Sequence, residues 1–193
     1  MNMNYNLSIT YGTSLVEIPK LIHIGELLDS VSNLIGDTCE VGVYRGGTAK
    51  IISENIKDCD LFLFDTFEGM PYYDSEKDKD WGVGTFNQTD YEMVSKLFES
   101  KENVRVFKGV FPSDTSYHIE DKVFKFVHLD VDNYQSYKEC LEFFYDRMVK
   151  GGIILFDDYD CGCCPGANKS VDEFFSNKPE NIQKNVGAYI VKL

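Results

Sequence analysis

Two short apolar runs each close on acidic residues: Phe126-Val127-His128-Leu129 leads into Asp130 and Asp132, and Ile153-Ile154-Leu155-Phe156 leads into Asp157 and Asp158. Runs of this length suit strands buried on both faces, which is how a parallel sheet covered by helices reads. If the two strands are neighbours, their carboxylates converge at the sheet edge where α/β folds bind ligands. Like charges packed together raise one another's pKa or call for a cation, and oxygen ligands favour Mg²⁺, Ca²⁺ or Mn²⁺ over a thiophilic metal. Strand-ending turns and helix caps use the same residue types. The recurrence of the pattern on two successive strands favours the metal reading.

The rest of the chain alternates between strand and helix signals. A leading segment over residues 1–35 carries an amphipathic helix at 14–34, in which Leu15, Ile18, Ile22, Leu27, Leu28, Val31 and Leu34 recur at spacings near three and four before Gly36. A strand is expected from Cys39 to Tyr44, a glycine turn at Gly46-Gly47-Thr48 and a helix from Ala49 to Lys57. Further strands fall at Leu61–Phe64, Val104–Phe107, Val123–Leu129 and 153–156, with helices at Asp90–Glu99, Gln135–Val149 and around Val171–Phe175. Gly151-Gly152 turns into the strand at 153, and a terminal strand pair spans Ile182–Lys184 and Ala188–Val191. Residues 69–88 show no period and contain Tyr72, Tyr73 and Trp81, so this long loop is expected to act as a lid. The alternation predicts an α/β fold with a mostly parallel sheet and helices on both faces.

Bulk properties narrow the function. A chain of 193 residues that is 43% hydrophobic most simply forms a single domain, 1–193. A net charge of -13 and a pI near 4.6 argue against a nucleic-acid or membrane-surface partner. The opening Met1-Asn2-Met3-Asn4-Tyr5-Asn6 has neither the basic start nor the apolar stretch of a signal peptide, so a cytoplasmic location is expected. Cys39, Cys59 and Cys140 lie in apolar contexts, as buried thiols do. Cys161, Cys163 and Cys164 crowd a loop for which free thiols are the default, since no second ligand pair with zinc spacing follows.

The glycines of Glu40-Val41-Gly42-Val43-Tyr44-Arg45-Gly46-Gly47-Thr48 stand where a strand meets a helix, so a ligand could approach the backbone closely. The spacing is not that of a dinucleotide fingerprint, and Glu40 would repel a pyrophosphate. A carboxylate there better suits a cationic ligand group such as the sulfonium or amine of S-adenosylmethionine. Asp65 at the next strand end is placed to take ribose hydroxyls.

Five blocks in order resemble the macrocin-type (TylF-like) O-methyltransferases: Glu40 to Gly47, Phe64-Asp65-Thr66-Phe67-Glu68-Gly69-Met70-Pro71, Lys108 to Thr115, His128 to Ser136, and Gly151 to Tyr159. The resemblance covers about residues 36 to 176. It implies a Rossmann-like class I methyltransferase sheet of about seven strands and an S-adenosylmethionine-dependent enzyme that uses Mg²⁺ or another divalent cation. It also implies an acceptor that is a sugar or glycosylated small molecule. The donor would lie over Glu40, Gly42, Tyr44, Gly46, Gly47, Thr48 and Asp65, with adenine near Phe111 and Ser113. The cation would be held by Asp130, Asp157 and Asp158, and Asp132 would be the general base. A homodimer is left open, as is the acceptor.

Methyl transfer is an in-line displacement, so such a protein must align the two reactants and make the acceptor oxygen nucleophilic. His128 competes with Asp132 for the role of base, against the alternative of a buried structural imidazole. His23 and His118 read as surface or helix-face residues. Asp130-Val131-Asp132 also fits the D-x-D of a metal-dependent glycosyltransferase, which leaves Glu40 to Gly47 unexplained. A non-catalytic binding domain on the same fold is the third reading.

Overall fold

A computed structural model describes residues 13–193. Its core is a seven-stranded sheet in which β1 (Asp37–Val41), β2 (Leu61–Asp65), β3 (Val104–Lys108), β4 (Phe124–Leu129) and β5 (Met148–Phe156) run parallel. At one edge β6 (Gln183–Asn185) and β7 (Gly187–Val191) form an antiparallel hairpin, and β7 pairs antiparallel to β5. The strand order is β3-β2-β1-β4-β5-β7-β6. Reversal of the winding between β1 and β4 opens a crevice at their carboxyl ends, the place where open α/β sheets bind ligands.

Strand alternation explains why the sheet is covered twice. Phe62, Phe64, Val127 and Leu129 join the apolar cluster that includes Tyr137 and Phe144 of α4 (Tyr134–Phe144) and Val171 of α5 (Pro165–Phe175). Leu61, Leu63 and Phe126 join the opposite cluster, with Leu21 and Ile24 of α1 (Ile18–Ser30), Ile51 of α2 (Gly47–Asn55) and Val94 of α3 (Tyr91–Leu97). Successive side chains thus feed the two faces in turn. β3, an edge strand, is only half buried. No helix among the described residues is long and apolar enough to cross a membrane.

Several boundaries differ from the sequence expectation. The leading helix is shorter because Pro19 sets its first turn and Val31 caps its end, and Leu15 and Ile18 are exposed rather than buried. The helix expected to reach Val149 ends at Phe144, and β5 already begins at Met148. Gly151-Gly152 is therefore a bulge inside the strand: Met148 pairs with Phe124 but Ile153 with Phe126. α3 starts where the Asp90 carboxylate accepts the Met93 amide at 2.8 Å. The long 69–88 loop is pinned at its base, where Met70 exchanges backbone hydrogen bonds with Thr85 and Gly84. It is pinned again at Asp78, whose carboxylate accepts the Tyr134 amide at 2.9 Å.

Candidate active site

A cavity of about 810 Å³ opens at the carboxyl ends of β1, β2, β4 and β5. One side is the glycine turn. Gly42 has φ 89°, and a Cβ there would lie 1.8 Å from the Asp130 carbonyl oxygen, so only glycine lets the tips of β1 and β4 meet. The next two amides, Val43 and Tyr44, both donate to Asp65 Oδ2 at 2.8 and 2.7 Å, while Phe67 donates to Oδ1 at 2.7 Å. Burial pushes the Asp65 carboxyl up and these three amides pull it back. Its first job is thus to brace the turn, with acceptor capacity left mainly on Oδ1.

Gly42, Tyr44, Thr48, Asp65 and Phe111 line the cavity, whereas Glu40, Gly46, Gly47 and Ser113 do not. Ser113 faces outward against Val110 and Asp114. The stretch at Thr13 and Ser14 packs on Gly47, where a Cβ would come within 2.6 Å of Ser14, and the Ser14 and Thr48 hydroxyls are 2.9 Å apart. Phe111 packs on Phe64 and Phe144. Of the loop aromatics, Trp81 and Phe86 reach the cavity; Tyr72 and Tyr73 do not.

The opposite wall is acidic. Leu129 and Phe156 are register partners on neighbouring strands, so Asp130 and Asp157 leave the sheet side by side. One oxygen each from Asp130, Asp157 and Asp158 falls within 4.8 Å of the others. Asp158 Oδ2 accepts from the Val131 amide at 3.1 Å, the Asp132 amide at 2.9 Å and the Tyr137 hydroxyl at 2.9 Å. These bonds hold the chain in its turn at Asp132, which has φ 61°. Burial, then the neighbouring Asp157 and Asp158 charges, drives Asp130 well above the usual carboxylate range. Asp132 is raised by burial and Asp158. Burial and Asp157 bring Asp158 up to about 6.

Asp157 behaves differently. Burial would raise it, but His128 and Lys20 outweigh burial and hold it below the usual range. Lys20 reaches in from α1, with Nζ 3.1 Å from Asp157 Oδ2 and 2.7 Å from its carbonyl oxygen. On the far side His128 Nε2 lies 3.7 Å from Asp157 Oδ1, and His128 Nδ1 is 2.9 Å from Glu40 Oε1. Glu40 and His128 are register partners on β1 and β4 and are fully buried. Burial alone would lower His128, yet the nearby Asp157 carboxylate and the bond to Glu40 raise it from 6.5 to about 9. Glu40 therefore meets an imidazolium inside the sheet, not a ligand in the cavity. Burial pushes its own carboxyl up and His128 pulls against it.

Neither Lys20 nor the Glu40–His128 pair is visible as such in the sequence. Lys20 lies 137 residues from Asp157. The Glu40–His128 contact exists only because β1 pairs with β4.

Three carboxyls crowded into a buried pocket, of which Asp157 alone is ion-paired to a lysine among the described residues, form a donor set suited to a hard divalent ion. A single all-oxygen arrangement of this kind fits Mg²⁺ chemistry better than thiolate-seeking metals.

Comparison with known proteins places the chain in a family. The sequence profile of the macrocin-O-methyltransferase (TylF) family matches residues 10–188. The chain belongs to this family. Its members are O-methyltransferases, and the mostly parallel seven-stranded sheet is the Rossmann-like class I methyltransferase architecture.

The chain is 26% identical over 178 residues to demethyldecarbamoylnovobiocin O-methyltransferase of Streptomyces niveus, covering 83% of this chain and 67% of that protein. It is 28% identical over 147 residues to a Streptomyces olivaceus 4'-O-methyltransferase of a dimethoxyrhamnosyl tetracenomycin, covering 68% of this chain but only 56% of the relative. Among solved structures, the O-methyltransferase NovP superposes with a TM-score of 0.78 at 23% identity, covering 93% of this chain and 82% of NovP. The calicheamicin methyltransferase CalS11 gives 0.79 at 18% identity, covering 96% and 82%. At these identities the structures speak for the fold.

The remaining cysteines belong to the same cavity wall. Cys161, Cys163 and Cys164 line it beside Asp132 and Asp158, and burial together with the two aspartates pushes the Cys164 thiol far up.

Proposed function

We propose that this TylF-family chain transfers a methyl group from S-adenosylmethionine to a hydroxyl of a sugar-containing small molecule, with a divalent cation at Asp130, Asp157 and Asp158. The observation that carries the reading is the meeting of two half-sites in one cavity. A glycine turn braced by Asp65 faces a buried acidic cluster across a space of about 810 Å³. The rhamnosyl substrate named for one of the curated relatives supports the acceptor class.

In this reading the donor lies along Gly42, Tyr44 and Thr48, with Asp65 Oδ1 accepting from ribose and Phe111 against the adenine. A bound cation would supply Lewis-acid stabilisation of a developing alkoxide. Asp132 accepts the acceptor's proton, and its burial raises its basicity toward the range useful for a general base. Lys20 and His128 keep Asp157 ionised, so a ligand oxygen is available without a proton to displace. Trp81 and Phe86, which pack at 5.2 Å between ring centroids, exclude water from the apolar side.

The decisive experiment combines calorimetry and turnover. S-adenosylmethionine or its homocysteine product should bind with and without Mg²⁺, and excess EDTA should abolish transfer to a glycosylated acceptor while leaving donor binding nearly intact. Full turnover in EDTA defeats the cation assignment; failure of either donor form to bind defeats the reading as a whole.

A further inference from the structure

The geometry points to a second metal site, specific for a thiophilic ion such as Zn²⁺ or Cd²⁺, in the Cys161-Gly162-Cys163-Cys164 loop. It lies beside the acidic cluster and is separate from it in ligand chemistry. The sulfurs of Cys161, Cys163 and Cys164 all lie within 4.8 Å of one another. Cys163 Sγ and Cys164 Sγ are 3.7 Å apart, and Cys164 Sγ is 3.7 Å from Asp132 Oδ1. Tetrahedral coordination with Zn–S of about 2.3 Å and Zn–O of about 2.1 Å separates sulfur from sulfur by about 3.8 Å and sulfur from oxygen by about 3.6 Å. Both observed spacings match.

Cys161 Sγ lies closer, 2.9 Å from Cys163 Sγ, so it must swing outward by about 0.9 Å to meet the same tetrahedral spacing. It is free to do so, because Cys161 is exposed and nothing approaches within 4 Å of a Cβ built on Gly162. The Cys164 amide already donates to Cys161 Sγ at 3.2 Å, the kind of N–H contact that stabilises a sulfur carrying negative charge. Three sulfurs make the set soft, whereas the neighbouring group of Asp130, Asp157 and Asp158 is all oxygen, so the two sites select different metals. Because the thiols line the cavity, an ion enters from the same opening as the substrates.

Cys164 is the sulfur that approaches the acidic wall, 3.7 Å from Asp132 Oδ1 and 3.8 Å from Asp158 Oδ1, and the site takes Asp132 as its fourth ligand because Asp158 serves the oxygen site. This consequence rests on the function proposed above: if Asp132 is the base, a thiophilic ion that takes its carboxylate stops methyl transfer, and the loop becomes a point of zinc inhibition. Each thiol gives up its proton to solvent on binding, and no oxidant or reductant is involved.

The test uses the full chain, reduced with a phosphine and held in excess Mg²⁺ so that the oxygen site is filled. Cd²⁺ titration should give thiolate-to-metal charge-transfer absorption that saturates at one ion per chain. Zn²⁺ should displace that ion. Cys161→Ser and Cys163→Ser, both outside the buried core, should each weaken binding by more than the roughly 10- to 100-fold typical of changes around a metal's ligands. No charge-transfer band, or an affinity unchanged in both variants, overturns the site. Micromolar Zn²⁺ should inhibit transfer by the parent chain and spare Cys163→Ser; equal inhibition of both overturns the role of Asp132 in the site. The absorption readout needs no turnover, so a failure of the methyltransferase reading and a failure of the thiol site are told apart.

Discussion

The buried pair of Glu40 and His128 gives the sharpest test of how the acidic wall is held. Both side chains are fully buried, their atoms are 2.9 Å apart, and Glu40 Oε2 has no hydrogen-bond partner among the described residues. Glu40→Gln keeps an acceptor for His128 but removes the charge and puts an amide N–H where no acceptor waits. Breaking a buried pair costs about 3–5 kcal/mol, part of it the unsatisfied group. For a chain of this length each kcal/mol lowers Tm by about 2–4 °C, so a fall of about 6–20 °C is expected at pH 7.

The pH dependence carries its own sign. His128 is raised from 6.5 to about 9 in the folded chain. Its contribution is therefore present in full below pH 6.5 and is lost as pH rises through 9, and the rise corresponds to about 3 kcal/mol. Thermal unfolding of the metal-free protein between pH 6 and 10 should show this loss, shifted to lower pH in Glu40→Gln. A variant within 1 kcal/mol of the parent at pH 7, with an unchanged pH profile, would refute the imidazolium.

Asp132→Asn should lower turnover by about 10²- to 10⁴-fold while leaving donor affinity, measured by calorimetry, within a factor of about two. Mg²⁺ affinity should fall as pH drops through about 6, where Asp158 takes up a proton that competes with the cation; calorimetric affinities flat from pH 7.5 to 5 would count against Asp158 as a ligand. Lys20→Met removes the competing ammonium from Asp157 and should tighten Mg²⁺ binding by about tenfold, and weaker binding would show that Lys20 orients the carboxylate instead. Gly166→Ala would place a Cβ 1.9 Å from Asp78 Oδ1 and 2.9 Å from the Tyr134 amide, so it should free the 69–88 loop and raise its rate of limited proteolysis.

The fold was legible where burial leaves a local signature. Continuous apolar runs such as Leu61–Phe64 and Ile153–Phe156 become strands buried on both faces, and their spacing by helical periods implies parallel order. The acidic residues at the tips of β4 and β5 were legible for the same reason, since register carries them out of the sheet together. The profile match now places the chain among the O-methyltransferases, which the order of the five blocks already implied. The long irregular stretch at 69–88 was legible too, because it lacks any period, though the bond from the Tyr134 amide that ties down Asp78 was not.

What stayed hidden depends on contacts between distant segments. Lys20 is one lysine in a leading helix until α1 crosses the tip of β5. Glu40 invites a reading as a ligand-facing carboxylate because it precedes the glycine turn, yet the β1–β4 register sets it against His128. The consequence is an acidic wall whose members differ in kind: Asp157 is pinned ionised between two cations, while Asp130 and Asp132 are raised by burial and like charge. Sequence spacing makes these carboxylates look equivalent. Their neighbours, supplied by three strands and a helix, give one of them a fixed charge and leave the others ready to take up protons.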